Sequence, residues 1–154
     1  MKYTSSPDFS LQEFSNLNLS RCDNPLAFNC ANQPLLYWST AIAEEAGEIC
    51  GAVKNLARGF NQRELAKMKK KWLKNHELAT KEELPSDQEL EAMWLDEKED
   101  ALIKEAADVF IYLDLLAQKS NKSLWGAIQA KFNEVSREMG LDNEYILYSN
   151  NTNI

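Results

Sequence analysis

Turn-forming residues are scarce in this sequence. Its 154 residues include 5 glycines and 4 prolines, roughly half the usual combined share. So few argue against a sandwich or barrel of many short strands, and against disorder. Histidine is scarcer still, with His76 alone. That excludes multi-histidine zinc sites and the paired Glu-x-x-His signature of di-iron bundles. No glutamate stands three positions before His76. The three cysteines, Cys22, Cys30 and Cys50, show no Cys-x-x-Cys spacing. An odd count without a framework reads as reduced, intracellular thiols. No apolar run approaches the ~20 residues of a membrane span. The opening MKYTSSPDFS holds no apolar leader segment. The expectation is a cytoplasmic protein with no membrane partner, and a mean hydropathy of −0.49 agrees.

What is present is a single domain's worth of chain, with 44% apolar and 27% charged residues. Lysine and arginine number 17 against 24 aspartates and glutamates, a net charge of −7. An acidic chain repels a nucleic-acid backbone, so no nucleic-acid partner is expected. A phosphorylated small molecule delivered with its own metal ions remains compatible.

The hydrophobic period is helical throughout. Residues 1–7 read as a loose start. Ser10 and Glu13 form a capping-box pattern ahead of a short helix carrying Leu11, Phe14 and Leu17. Residues 21–34 read as a loop. A long helix spans about 34–58, from Pro34 to a C-terminal cap at Gly59. Residues 61–81 are basic and 82–100 acidic, both helical, with a break near LPSD at 84–87. They are either two solvated faces or a hairpin that pairs with itself or with a second subunit. A helix at about 97–119 is apolar around most of its circumference and is expected to be central. A last helix covers about 123–139 and stops at Gly140. The tail from Asp142 reads as loosely packed at its end.

Two motifs carry chemistry. Glu45 and Glu48 form a Glu-x-x-Glu pair; Glu105 and Asp108 form a Glu-x-x-Asp pair. Residues three apart share a helix face. The residues between are small: Ala46 and Gly47, then Ala106 and Ala107. Small residues allow close approach, and Gly47 inside a helix implies a packing or steric reason. Carboxylates on apolar helices must be paired or metal-bound. Four facing one another call for a hard divalent cation, Mg²⁺ or Mn²⁺. The alternative is ordinary pairing with lysines such as Lys54 or Lys104.

These motifs sit in WSTAIAEEAGEICGAVKNLAR (38–58) and IKEAADVFIYLDLLA (103–117), followed by KFNEVSREMG (131–140). Together they cover about a third of the chain, and they resemble the MazG-like family of all-α nucleoside triphosphate pyrophosphohydrolases. The resemblance implies an all-α, four-helix-type bundle in one domain over 1–154, with a charged helical insertion at about 60–96. It implies cleavage of an NTP or dNTP between the α- and β-phosphates; a specialised version would convert one deoxynucleotide, a purine such as dGTP or dATP, and the sequence does not choose the base. It implies a homo-oligomer, dimer or tetramer, with Mg²⁺ (or Mn²⁺) held by Glu45, Glu48, Glu105 and Asp108. Glu48, with Glu45, is the candidate to orient or deprotonate the attacking water. Lys131 and Asn133 match the family's polar positions on the last helix. Arg137, Lys54, Trp38 and Tyr112 are further substrate-binding candidates; the bland readings are solvated surface for the cations, and core for Trp38 and Tyr112. Asp114 reads as structural. The 57 positions from Glu48 to Glu105 exceed the compact members of the family, and the excess is the charged segment. The alternative function is a helical interaction or regulatory protein that keeps the fold and metal site without turnover.

Overall fold

The computed structural model describes residues 10–26, 30, 32–76, 83–141 and 147. Among them it is all-helical, with five helices and no strand: α1 (Leu11–Asp23), α2 (Leu35–Ala57), α3 (Gln62–Asn75), α4 (Asp87–Lys119) and α5 (Leu124–Glu138). No helix among the described residues is long and apolar enough to cross a membrane. The expected loose start at 1–7, and the tail apart from Leu147, lie outside the described residues. The chain forms two compact units, one of residues Ala41–Val109, the other drawn from Thr4–Thr40 and Phe110–Ile154. Helices α2 and α4 contribute to both.

The first unit holds the charged segment. Asn61 caps α3 by accepting from the Arg63 and Glu64 backbone N–H groups at 3.0 and 3.3 Å. Ser86 and Glu89 form a capping box at the start of α4, which confirms the break near LPSD. Leu65 and Met68 of α3 bury against Leu90 and Trp94 of α4, with Phe60 and Trp72 packed alongside. Leu90 is completely buried. Lys69 pairs with Asp87 at 2.7 Å and Lys71 with Glu97 at 2.6 Å. The basic and acidic stretches are therefore a hairpin that pairs with itself across an apolar seam. The expected start of a separate helix near 97 is corrected. Helix α4 runs unbroken for 33 residues, because the stripe carrying Leu90 and Trp94 continues the helical period beneath the acidic surface.

Two further expectations for this unit change. The stretch of α4 from 95 to 109 has no fully buried residue, and Ile103 is 52% exposed. Its apolar circumference is not enclosed within one chain. A Cβ added at Gly47 meets nothing within 4 Å, so the expected steric reason for that glycine is not found in the chain itself.

The second unit is built on α1, the start of α2, the end of α4 and α5. The Ser10–Glu13 capping box is present, with both hydrogen bonds formed. Helix α1 then runs to Asp23, three residues into the expected loop. It buries Ser15, Asn18 and Cys22 and leaves Leu11 and Leu17 exposed. The polar face has a polar partner. Asp114 accepts from Ser15 Oγ at 2.6 Å, Asn18 Nδ2 at 2.9 Å and Gln118 Nε2 at 2.7 Å. Asp114 is thus structural, as expected. Cys22, Cys30, Trp38 and Leu115 form the apolar core beside it. Burial pushes the Cys22 thiol up to about 11, which keeps it protonated and inert. Ser123 caps α5, and Gly140 ends it at φ 68°.

Candidate metal centre

Four carboxylates lie on two helices of the first unit. Among acidic neighbours, Asp108 acts most strongly on Glu45, and Glu48 on Glu105. Further along, Asn55 and Lys98 line a common cavity. The chain therefore runs antiparallel here, α2 beside α4, with each i, i+3 pair facing the other. This follows from 3.6-residue periodicity: one step of three on each helix keeps both acids on the shared face.

Glu45, Glu105 and Asp108 each offer a carboxylate oxygen, and these oxygens lie within 4.8 Å of one another. All three side chains are half-buried. Desolvation raises the proton affinity of Glu45 above the ordinary carboxylate value, and the charges of Asp108, Glu48 and Glu105 add to it. Glu105 is raised by desolvation first, then by the charges of Glu48 and Asp108 and a hydrogen bond with Glu48. Among the described residues none of the three forms an ion pair with lysine or arginine. The ordinary lysine-pairing alternative is thus not what the structure adopts; Lys54 is exposed on α2. The fourth expected ligand, Glu48, is exposed and outside the triad. It lines a cavity of about 290 Å³ with Glu105, Gly51, Ala52, Asn55, Lys98 and Ala101.

The donor set fits a hard divalent cation. Its atoms are all oxygens, they converge from two rigid helices, and their mutual repulsion is what such an ion relieves.

The remaining candidates fall in the second unit. Trp38 is 1% exposed, packed edge-on against Tyr37 at 4.9 Å and tilted on Tyr112 at 6.4 Å. Here it is core, with no face open for a base, and Tyr112 is part of the same packing. Asn133 is buried, and its amide is taken up by Leu147: Nδ2 donates to the Leu147 carbonyl and Oδ1 accepts its N–H, both at 2.7 Å. Lys131 is exposed and paired with Glu134 at 2.7 Å. Arg137 is exposed near the end of α5.

Sequence reading passed over a second cavity in the first unit, of about 570 Å³, lined by Arg58, Arg63, Lys67 and Lys98 around Trp94. Its signal was faint, because those cations are spread along the chain from Arg58 to Lys98 and meet only when α3 folds back on α4. Compared with protein-family models, curated proteins and solved structures, the chain matches none.

Proposed function

We propose that this chain is a MazG-like nucleoside triphosphate pyrophosphohydrolase that releases the monophosphate and pyrophosphate. The observation that carries the reading is the carboxylate triad: three oxygens within 4.8 Å, from two antiparallel helices, without a cationic partner among the described residues. Structural acids are ordinarily satisfied by donors, as Asp114 is. These face other carboxylates instead, and they belong to the segments that carry the family resemblance.

Glu45, Glu105 and Asp108 would hold Mg²⁺, or Mn²⁺ in its place, with Glu48 joining from the cavity side. Bound there, the ion would neutralise charge on a triphosphate and lower the pKa of a water molecule. Glu48 suits the orientation and deprotonation of the attacking water, since it is exposed and adjoins Glu105. Lys131 and Arg137 are exposed cations of the resembling last-helix segment and suit phosphate.

The working form we propose is a homo-oligomer, dimer or tetramer. Half-exposed apolar side chains on the long helices, among them Val53, Met93, Leu95 and Ile103, support it, because a second copy would remove them from water. A four-helix-type bundle of this family would then be completed with α2 and α4 at its centre.

Metal binding tests the site directly. Titration with Mn²⁺ followed by electron paramagnetic resonance is expected to show saturable binding that Mg²⁺ displaces. Glu45→Gln and Glu105→Gln are each expected to weaken it at least tenfold. Equal binding by wild type and both variants would contradict the assignment.

A further inference from the structure

The cavity at the corner of α2, α3 and α4 has no part in the metal centre itself. It holds Arg58 from the end of α2, Arg63 and Lys67 from α3, and Lys98 from α4, with Glu64 as its one carboxylate. Glu64 is neutralised by Lys67 at 2.6 Å. Arg58, Arg63 and Lys98 make no ion pair among the described residues. In a chain of net charge −7, four cations around a single carboxylate in one concavity reverse the sign locally. The first turn of α3 adds the positive end of a helix. The ammonium of Lys67 first, and then the indole N–H of Trp94 in the wall of the same cavity, hold the Glu64 carboxyl below the ordinary carboxylate value.

The cavity adjoins the carboxylate site. Asn55 and Lys98 line both it and the smaller cavity that holds Glu48 and Glu105. Asn55 lies seven residues beyond Glu48 on α2, and Lys98 seven before Glu105 on α4. Two helical turns, about 10.5 Å, therefore separate the acidic end from the basic end of one groove. Part of that distance is covered by the long cationic side chains.

We propose that this basic cavity is a subsite for the distal phosphates of the substrate. The ligand is an extended phosphate chain lying along the groove, with its cleaved bond at the carboxylates and its terminal phosphates on Arg58, Arg63 and Lys98. The placement along one substrate rests on the pyrophosphohydrolase reading; the affinity of the cavity for phosphate does not. The charged segment gains a role from this, since folding α3 back on α4 brings Arg63 and Lys67 to the groove. Arginine suits it, because its fork matches phosphate oxygens.

Isothermal titration calorimetry of the full chain with inorganic tripolyphosphate, with and without Mg²⁺, separates the two. Wild type is expected to bind tripolyphosphate without Mg²⁺. Arg63→Gln and Lys98→Gln are each expected to weaken that binding about tenfold or more, the loss of a charge-assisted hydrogen bond. Glu105→Gln is expected to keep the metal-free binding and lose the enhancement by Mg²⁺. Arg63 is exposed, so its substitution leaves the fold intact, which circular dichroism checks. Wild type without affinity for tripolyphosphate, or both cation variants binding as tightly as wild type, would overturn the subsite. Tripolyphosphate binding that depends on Arg63 and Lys98 in a wild type indifferent to Mg²⁺ would support the subsite and sink the metal reading.

Discussion

Asp108 and Asp114 stand six positions apart on α4 and meet opposite surroundings. Asp114 receives three hydrogen bonds, from Ser15, Asn18 and Gln118. Asp108 meets the carboxylates of Glu45 and Glu105. The first arrangement stabilises the fold and the second works against it. Asp114→Ala is expected to cost about 3 kcal/mol, because three buried donors lose their acceptor; urea denaturation measures it. Glu45 and Glu105 should show the reverse sign. Both bind their protons more tightly in the fold than in the unfolded chain. The metal-free protein therefore loses stability as pH rises from the ordinary carboxylate range through their raised values, and keeps that deficit above it. Glu105→Gln is expected to raise the metal-free melting temperature at pH 7 and to flatten this fall. A lower melting temperature in the variant would show that the carboxylate stabilises the fold. Saturating Mg²⁺ competes with the protons, so its stabilisation should grow with pH over the same window. Spacing made the acidic pairs legible, since i, i+3 on a helix is a local fact. The surroundings of Trp38 and Asn133 were not legible, because their neighbours come from distant parts of the chain or, for Asn133, from the backbone of Leu147.

At the scale of the element, helix ends were the most readable feature. Ser10 with Glu13, Gly59 and Gly140 act within a turn of their own position, whereas the caps at Asn61 and at Ser86 with Glu89 were passed over. Two things were harder. The change from acidic to apolar composition near 97 suggested a boundary, yet backbone hydrogen bonding does not follow surface charge, and α4 passes through. Helix α1 hides a polar face, Ser15 and Asn18, whose meaning depends on Asp114, 99 and 96 residues away. The hairpin of α3 and α4 was one of the open alternatives, and its apolar seam decides it. Its ion pairs are exposed and contribute little. The seam carries the stability: Leu90→Ala is expected to cost about 3 kcal/mol. Hydrogen exchange should then quicken first in α3. Lys71→Ala, which removes an exposed pair, should leave exchange there almost unchanged.

At the scale of the molecule, one unit of an acidic chain places a basic cavity beside a cluster of acids. That polarity is what a metal-bound polyphosphate would match, positive groups meeting the phosphate chain and carboxylates meeting the ion. All-helical architecture follows from the scarcity of turn formers and the 3.6-residue period. The half-exposed apolar surface of α2 and α4 was not foreseen from composition, since a burial pattern does not say which chain does the burying. The most direct measurement is a product analysis. Each NTP and dNTP is incubated with Mg²⁺ and the protein, beside Glu48→Ala and Glu105→Ala, and monophosphate, pyrophosphate, diphosphate and orthophosphate are quantified. Monophosphate and pyrophosphate in equal amounts from at least one nucleotide, lost in both variants, is the expected result. Diphosphate with orthophosphate, or no turnover of any nucleotide by a protein that binds Mg²⁺, would contradict it.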